Sequence, residues 1–299
     1  MPPSGQPATL IYNARAGSSA RAPVPDLHRA LEDAGYHAAL HVTPGPEALP
    51  ELLRATTGTV FVAGGDGTIR SAALHLLNRP DVTLGVIPMG TANNVARALR
   101  LPLDPLAAAR AHARTRPRPF DVGLVRGPWG EDHFIEACGC GLFADILDDY
   151  GPHLAKSPVR ALGSMLEVFT RQQPLGVRVT VDGQGVPSPP LAVLEVMNTP
   201  STGTGLHLAP PADPTDGQFT LVRMQALNRE PLLEYAAAML RGTFHTQPGV
   251  HADHGQVFTV ADLGQVWHVD TDLRRSAAPG GVVEIRVQPG ALRVLSPAP

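Results

Sequence analysis

The stretch Val60-Phe61-Val62-Ala63-Gly64-Gly65-Asp66-Gly67-Thr68 constrains this chain more than any other. A β-branched and aromatic strand runs straight into glycines arranged around an aspartate, with a threonine behind them. Where no Cβ intervenes, backbone N–H groups approach an anion closely, so the corner reads as a phosphate-binding loop. Asp66 is placed to hold a metal or a hydroxyl, and Thr68 to cap the helix that follows. Downstream, Ile87-Pro88-Met89-Gly90-Thr91-Ala92-Asn93-Asn94 repeats the pattern, a strand breaking at Gly-Thr before a helix. Two such corners at the carboxyl ends of neighbouring strands make a crevice suited to a nucleotide. Either loop alone is equally well an unliganded tight turn. The pair, in its strand–loop–helix context, favours a ligand site.

Other phosphate-binding devices are missing. Lys156 is the sole lysine among 24 basic side chains, and no glycine-rich run precedes it. The first strand ends in Tyr12-Asn13-Ala14-Arg15-Ala16-Gly17, without the G-x-G-x-x-G spacing of dinucleotide folds. P-loop kinases and ordinary dehydrogenases are thereby excluded. Phosphates must be met by backbone N–H groups, a metal and arginine; Arg70 could reach one, whereas Arg97 and Arg100 read as surface charges or ion-pair partners.

With 299 residues the chain is long enough for two domains, and a hydrophobic fraction of 43% supplies an ordinary core. A net charge of −3 offers no field for nucleic acid. No apolar stretch reaches the length of a membrane span. The segment Met1-Pro2-Pro3-Ser4-Gly5-Gln6 has neither a basic region nor an apolar run, so a cytoplasmic protein is expected. Cys138 and Cys140, one residue apart, read as small buried side chains, and His245, His251 and His254 share no register that would make a metal site.

The first third alternates strand and helix. Strands are expected at 8–13, 38–42, 59–63 and 84–87, and helices at 26–34, up to Leu53, at 69–77, 93–99 and 105–113, which implies a parallel sheet with helices on both faces. Beyond Pro117-Arg118-Pro119 the character changes to short strands at 121–125, 177–181, 191–197, 219–222, 257–260, 266–269 and 282–287, with helices near 158–170 and 231–240. That is a second, mostly antiparallel, β-rich domain.

Together these motifs resemble the diacylglycerol kinase catalytic-domain family, in its bacterial branch of soluble lipid kinases related to sphingosine kinases. The resemblance runs nearly end to end: Asn13-Ala14-Arg15-Ala16-Gly17, then Gly64 to Thr68, Pro88 to Arg97, Asn198-Thr199 through Ala209-Pro210, Asp216-Gly217-Gln218-Phe219, Asp270-Thr271-Asp272 and a final strand at 291–295. It implies a Rossmann-like α/β domain at 1–119, to which a strand at 288–299 returns, and a β-sandwich-like domain at 120–287, with the active site in the cleft between them. By resemblance, ATP is bound by Asn13, Thr43, Gly64, Gly65, Asp66, Gly67, Thr68, Ile69, Arg70, Gly90, Thr91 and Asn93. Mg2+ is held by the Asp216 carboxylate and the backbone oxygens of Asp213 and Gln218, although Asp216-Gly217 alone is also an ordinary turn dipeptide. The general base comes from the pair Asp270 and Asp272.

The residues suit that chemistry on their own account. Phosphoryl transfer to an alcohol needs a metal-bridged nucleotide, a placed hydroxyl and an acceptor for its proton. In an extended segment Asp270 and Asp272 would project to the same side, each raising the proton affinity of the other. The chain departs from the family pattern at Arg70-Ser71 (for Asn-Glu), at Asn94 (for Asp) and at Asp272 (for Glu). The expected activity is an ATP- and Mg2+-dependent lipid kinase of phospholipid metabolism, acting on a lipid alcohol such as diacylglycerol through peripheral membrane contact, and compatible with a homodimer. A kinase of NAD, whose family shares the Gly-Gly-Asp-Gly-Thr loop, and a catalytically weak nucleotide- or lipid-binding regulator are the rivals.

Overall fold

The computed structural model describes residues 5–151, 167–168, 173–203, 205–226, 232–277 and 279–298. The chain divides into two units, Met1–Phe120 with Pro289–Pro299, and Asp121–Gln288.

In the first unit, β1 (Gln6–Asn13), β2 (Tyr36–Thr43), β3 (Gly58–Gly64) and β4 (Val82–Pro88) form a parallel sheet in the order β2-β1-β3-β4. The helices α1 (Val24–Asp33), α2 (Leu49–Arg54), α3 (Asp66–His75), α4 (Asn94–Ala98) and α5 (Pro105–Ala111) connect or follow the strands. Leu27, Ala30 and Leu31 of α1 and Ala109 of α5 pack on Leu10, Tyr12, Phe61 and Ala63, which make one face of the sheet. Ile11, Val60 and Val62 point the other way by alternation and are equally buried, near the packed pair α2 and α3. Burial on both faces explains the unbroken apolar run of β3 and its legibility as a buried strand.

His112, just after α5, is 1% exposed, packs tilted against Phe61 with ring centroids 5.0 Å apart, and lies 3.1 Å from the Val86 carbonyl through Nε2. Burial drives its pKa down from 6.5 to about 4, although the Val86 carbonyl works against the shift. The neutral ring therefore contributes stability that is complete above pH 6.5 and is lost as pH falls toward 4. At about 1.4 kcal/mol per pH unit, the loss is on the order of 3 kcal/mol. Between pH 7 and about pH 4.5 the urea midpoint should fall further in wild type than in His112→Gln, which removes this titration. Equal pH dependence in the two proteins would show that His112 is not its source.

The second unit contains a six-stranded antiparallel sheet in the order β14 (Val250–Gly255), β13 (Phe219–Gln225), β10 (Leu191–Met197), β7 (Ala137–Gly141), β16 (Trp267–Val269) and β17 (Asp272–Arg274). A second layer is built from β5 (Thr115–Gly127) with β6 (Gly130–Phe134), and from β15 (Val257–Ala261) between β8 (Val179–Val181) and the start of β18 (Val282–Pro297). β9 (Gln184–Val186) extends the edge at β8, and β11 (Ser201–Thr202) and β12 (Leu206–His207) pair as a separate short hairpin. Cys138, Cys140, Leu194, Val196, Trp267 and Val269 face Val125, Phe134, Phe258 and Ile285 in the core between the layers. The outer face of the six-stranded sheet is covered by α6 (Leu142–Tyr150) and α7 (Leu232–Arg241).

Several elements differ from expectation. The strands at 282–287 and 291–295 are a single strand, β18, which bends through Pro289-Gly290, with Gly290 at φ +60. Its first part pairs with β15, and Val294 pairs in parallel with Leu84 of β4. The strands β6, β7, β9, β11, β12, β14 and β17 and the helix α6 are additions to the elements expected from the sequence. The helix expected near 158–170 lies, apart from 167–168, outside the described residues.

Candidate active site

In the first unit, the carboxyl ends of β1, β3 and β4 carry three loops that hold one another. Gly64 pairs with Pro88 across β3 and β4, and its carbonyl accepts from the Met89 N–H at 2.8 Å. A Cβ on Gly90 would stand 2.8 Å from the Gly65 Cα, so the two corners meet glycine to glycine. A Cβ on Gly64 would fall 2.6 Å from that of Thr68. The Ser18 N–H donates to the Met89 carbonyl at 3.0 Å, which ties the first loop to the second corner.

Asp66 is the clamp between the corners. Its carboxylate accepts from the backbone N–H of Asn93 at 2.9 Å and of Asn94 at 2.7 Å. Burial pushes its carboxyl above the ordinary range, opposed by those amides and by the charge of Arg97. Each oxygen thus accepts one amide of the second corner, so in this structure Asp66 ties the two corners together. Asn93 sits in the left-handed region at φ +53, with Oδ1 accepting from the Gly90 N–H at 2.8 Å and Nδ2 donating to the Gly90 carbonyl at 3.0 Å. The small amide side chain closes the loop as a backbone turn would.

Thr68 does not cap α3. The capping position is Gly65, and the Thr68 hydroxyl instead accepts from Asn13 Nδ2 at 2.8 Å. Ile69 faces away: the residue is 3% exposed, in the core, and its N–H bonds the Gly65 carbonyl. Thr43, opposite Asn13 in the β1–β2 register, is buried and directs its hydroxyl to the Gly45 carbonyl. Gly67 and Thr91 are exposed and Arg70 is half-buried. What remains is a glycine-lined surface over the first turn of α3, whose leading N–H groups have no intrahelical acceptor.

In the second unit, the turn at 213–218 is held at both ends. Asp213 accepts from the Thr215 N–H and hydroxyl at 3.0 and 2.7 Å, and Asp216 from the Gln218 N–H at 2.9 Å. Asp121 braces the turn from outside, its carboxylate accepting from the Gly217 N–H and its N–H donating to the Pro214 carbonyl, both at 2.7 Å. An exposed carboxylate and two backbone oxygens within one braced turn are hard donors that fit Mg2+, which keeps several waters. Among the described residues no three His, Cys, Asp or Glu side chains form a metal cluster. His251 and His254 bond Gln225 and Thr220 instead.

The two acids near the carboxyl end are not side by side on a strand. Asp270 and Thr271 form the turn between β16 and β17, with Asp270 at φ +52. The Asp270 carboxylate accepts from the N–H groups of Ile135, Glu136 and Ala137 at 3.1, 2.9 and 3.2 Å and is 6% exposed. Asp272 opens β17 with a side chain 44% exposed, 3.9 Å from Arg274, which itself forks onto Asp132. Two roles follow from two environments: Asp270 organises the loop, and Asp272 faces solvent. Asn198 Nδ2, which donates to the carbonyls of Asp121 and Ile135 at 2.8 Å, links that loop to the braced turn. Sequence reasoning misses Asp121; its signal is a lone acid opening the apolar run Val122 to Val125.

The first unit thus carries two locked glycine corners on an open parallel sheet, and the second, β-sandwich-like unit carries an exposed acid at Asp272. Residues 7–125 match the diacylglycerol kinase catalytic domain, and residues 153–296 the YegS C-terminal NAD kinase beta sandwich-like domain. The chain is 32% identical over 247 residues to the diacylglycerol kinase of Bacillus subtilis, covering 79% of each chain. It is 30% identical over 247 residues to that of Mycobacterium tuberculosis, covering 81% of this chain and 77% of the other. A solved structure of a diacylglycerol kinase from Bacillus anthracis superposes with a TM-score of 0.69 at 18% identity, covering 97% of this chain and 96% of that one. Yeast NADH kinase shares the fold, with a TM-score of 0.52 at 10% identity over 99% of this chain and 84% of that one. The chain belongs to the diacylglycerol kinase family of lipid kinases.

Proposed function

We propose that the chain transfers the γ-phosphoryl group of ATP to a hydroxyl of a lipid acceptor, with diacylglycerol the acceptor favoured by the names of its relatives. The observation that carries the reading is the pair of glycine corners held together by Asp66, over the N-terminal turn of α3. That surface presents backbone N–H groups to a triphosphate, and Arg70 adds a positive charge nearby. Mg2+, held by Asp216 with the backbone oxygens of Asp213 and Gln218, supplies positive charge when bound. Asp272 accepts the proton of the attacking hydroxyl, and the turn at Asp270 sets where Asp272 stands. A lipid acceptor requires peripheral contact with a membrane, and no described helix is long and apolar enough to cross one.

The test is ATP consumption with Mg2+ across a panel of lipid alcohols in mixed micelles, with NAD as a parallel acceptor. Phosphatidic acid formed from diacylglycerol is the expected product. Phosphorylation of another lipid alone would move the acceptor, and NADP would move the activity to the NAD kinases. Nucleotide binding with no product on any acceptor would leave a regulatory protein.

A further inference from the structure

Three adjacent strands of the six-stranded sheet carry a buried acid–base row. Glu195 of β10 lies opposite Gly139 of β7, and Gly139 lies opposite His268 of β16. Glu195 is fully buried and His268 is 2% exposed. A Cβ on Gly139 would stand 2.4 Å from the Glu195 carboxyl carbon, so the glycine is what lets Glu195 reach across β7. His268 Nε2 lies 2.9 and 2.8 Å from the two Glu195 oxygens, and Nδ1 lies 2.9 Å from the Asp270 carbonyl. A carbonyl accepts only, so Nδ1 carries a proton, and a further proton sits between Nε2 and the carboxylate. Burial by itself would lower the His268 pKa; Glu195 and the Asp270 carbonyl together outweigh it and hold the pKa above the ordinary value.

A buried ion pair is a poor source of stability, because desolvation offsets most of its attraction. Its use lies in what it fixes. Asp270 holds a left-handed conformation, which is unfavourable for a residue with a Cβ unless its surroundings impose it. Its polar groups are all anchored: the N–H to the Ala137 carbonyl at 2.8 Å, the carboxylate to the amides of 135–137, and the carbonyl to His268. We propose that Glu195 and His268 are positioning residues for phosphoryl transfer, which act through the Asp270 carbonyl to hold the hairpin corner that presents Asp272 to the acceptor hydroxyl. The inference rests on the lipid kinase reading with Asp272 as base.

The test compares Glu195→Gln with the apolar pair Glu195→Met/His268→Leu. In Glu195→Gln the new side-chain amide can donate to Nε2 of a neutral ring that keeps its Nδ1–H on Asp270, so kcat should stay within about threefold of wild type. The apolar pair leaves no buried charge and should fold. Its kcat should nonetheless fall at least about tenfold with the KM for ATP unchanged, as expected for a displaced reacting group. The amides of 135–137 should exchange with deuterium faster in the apolar pair and not in Glu195→Gln. Wild-type kcat in the folded apolar pair, or equal losses in both variants, would overturn the proposal. Should the apolar pair not fold, His268→Gln, which keeps a donor for Glu195 and drops the bond to Asp270, is read by the same criteria. If wild type phosphorylates no lipid, the functional reading fails by that result alone, and amide exchange still decides whether the pair holds the corner.

Discussion

Asp272→Asn is expected to lower kcat for lipid phosphorylation by about 10²–10⁴-fold, the usual contribution of a general base, with the KM for ATP unchanged. The asparagine keeps the size of the side chain and loses the basic oxygen. Stability should move by less than about 1 kcal/mol, because the side chain is 44% exposed and its pairing with Arg274, at 3.9 Å, is solvent-screened. Asp270→Asn should fail differently. One of the three amides now bonded to the carboxylate would meet an NH2 group, so the expected loss is chiefly in stability, about 2 kcal/mol, with kcat reduced through the displaced corner. Steady-state kinetics with denaturant midpoints separates the two. An Asp270→Asn protein of wild-type stability and no activity would transfer the base to Asp270.

The sequence is legible where the local chain determines the outcome. The run 191–197 is bounded to the residue because a stretch that is apolar except for Glu195 stands between Pro189-Pro190 and Asn198. Ala137–Gly141 gives no such signal although it is a central strand. Ala-Cys-Gly-Cys-Gly has little β propensity, and the segment is extended because β10 and β16 pair on both of its sides. Pro289-Gly290 reads as a stop, yet β18 continues through it because Gly290 accommodates the bend at positive φ.

The same division runs through the site. The glycine corners are local and legible, as is the exposed Asp216 turn. The partners of each acid are not. Asp66 meets amides 27 and 28 residues further on, Asp270 meets amides 133 to 135 residues earlier, and Glu195 meets a histidine 73 residues away. Alternation alone would project Asp270 and Asp272 together; a two-residue turn between β16 and β17 separates them instead.

For that reason Asp66→Asn is the more searching variant in the first unit. Asparagine relieves the cost of a buried charge, which by itself would stabilise the fold. Against this, the two carboxylate oxygens face two N–H donors, so either orientation of the amide sets an NH2 group against a donor. A hydrogen bond to a charged group contributes about 1.5–3 kcal/mol, and a buried donor left facing a donor costs a comparable amount. The polar conflict outweighs the relief, and a net loss of about 2–3 kcal/mol is expected by denaturant midpoint. Because Asn93 brackets Gly90 through its side chain while donating to Asp66 through its backbone, the second corner should loosen with the clamp. ATP affinity by calorimetry should then fall at least about tenfold, since binding must restore the order that the clamp provides. Stability equal to wild type with ATP binding lost would mean that Asp66 touches the nucleotide or its metal directly, and that the bonds to Asn93 and Asn94 give way when the ligand arrives.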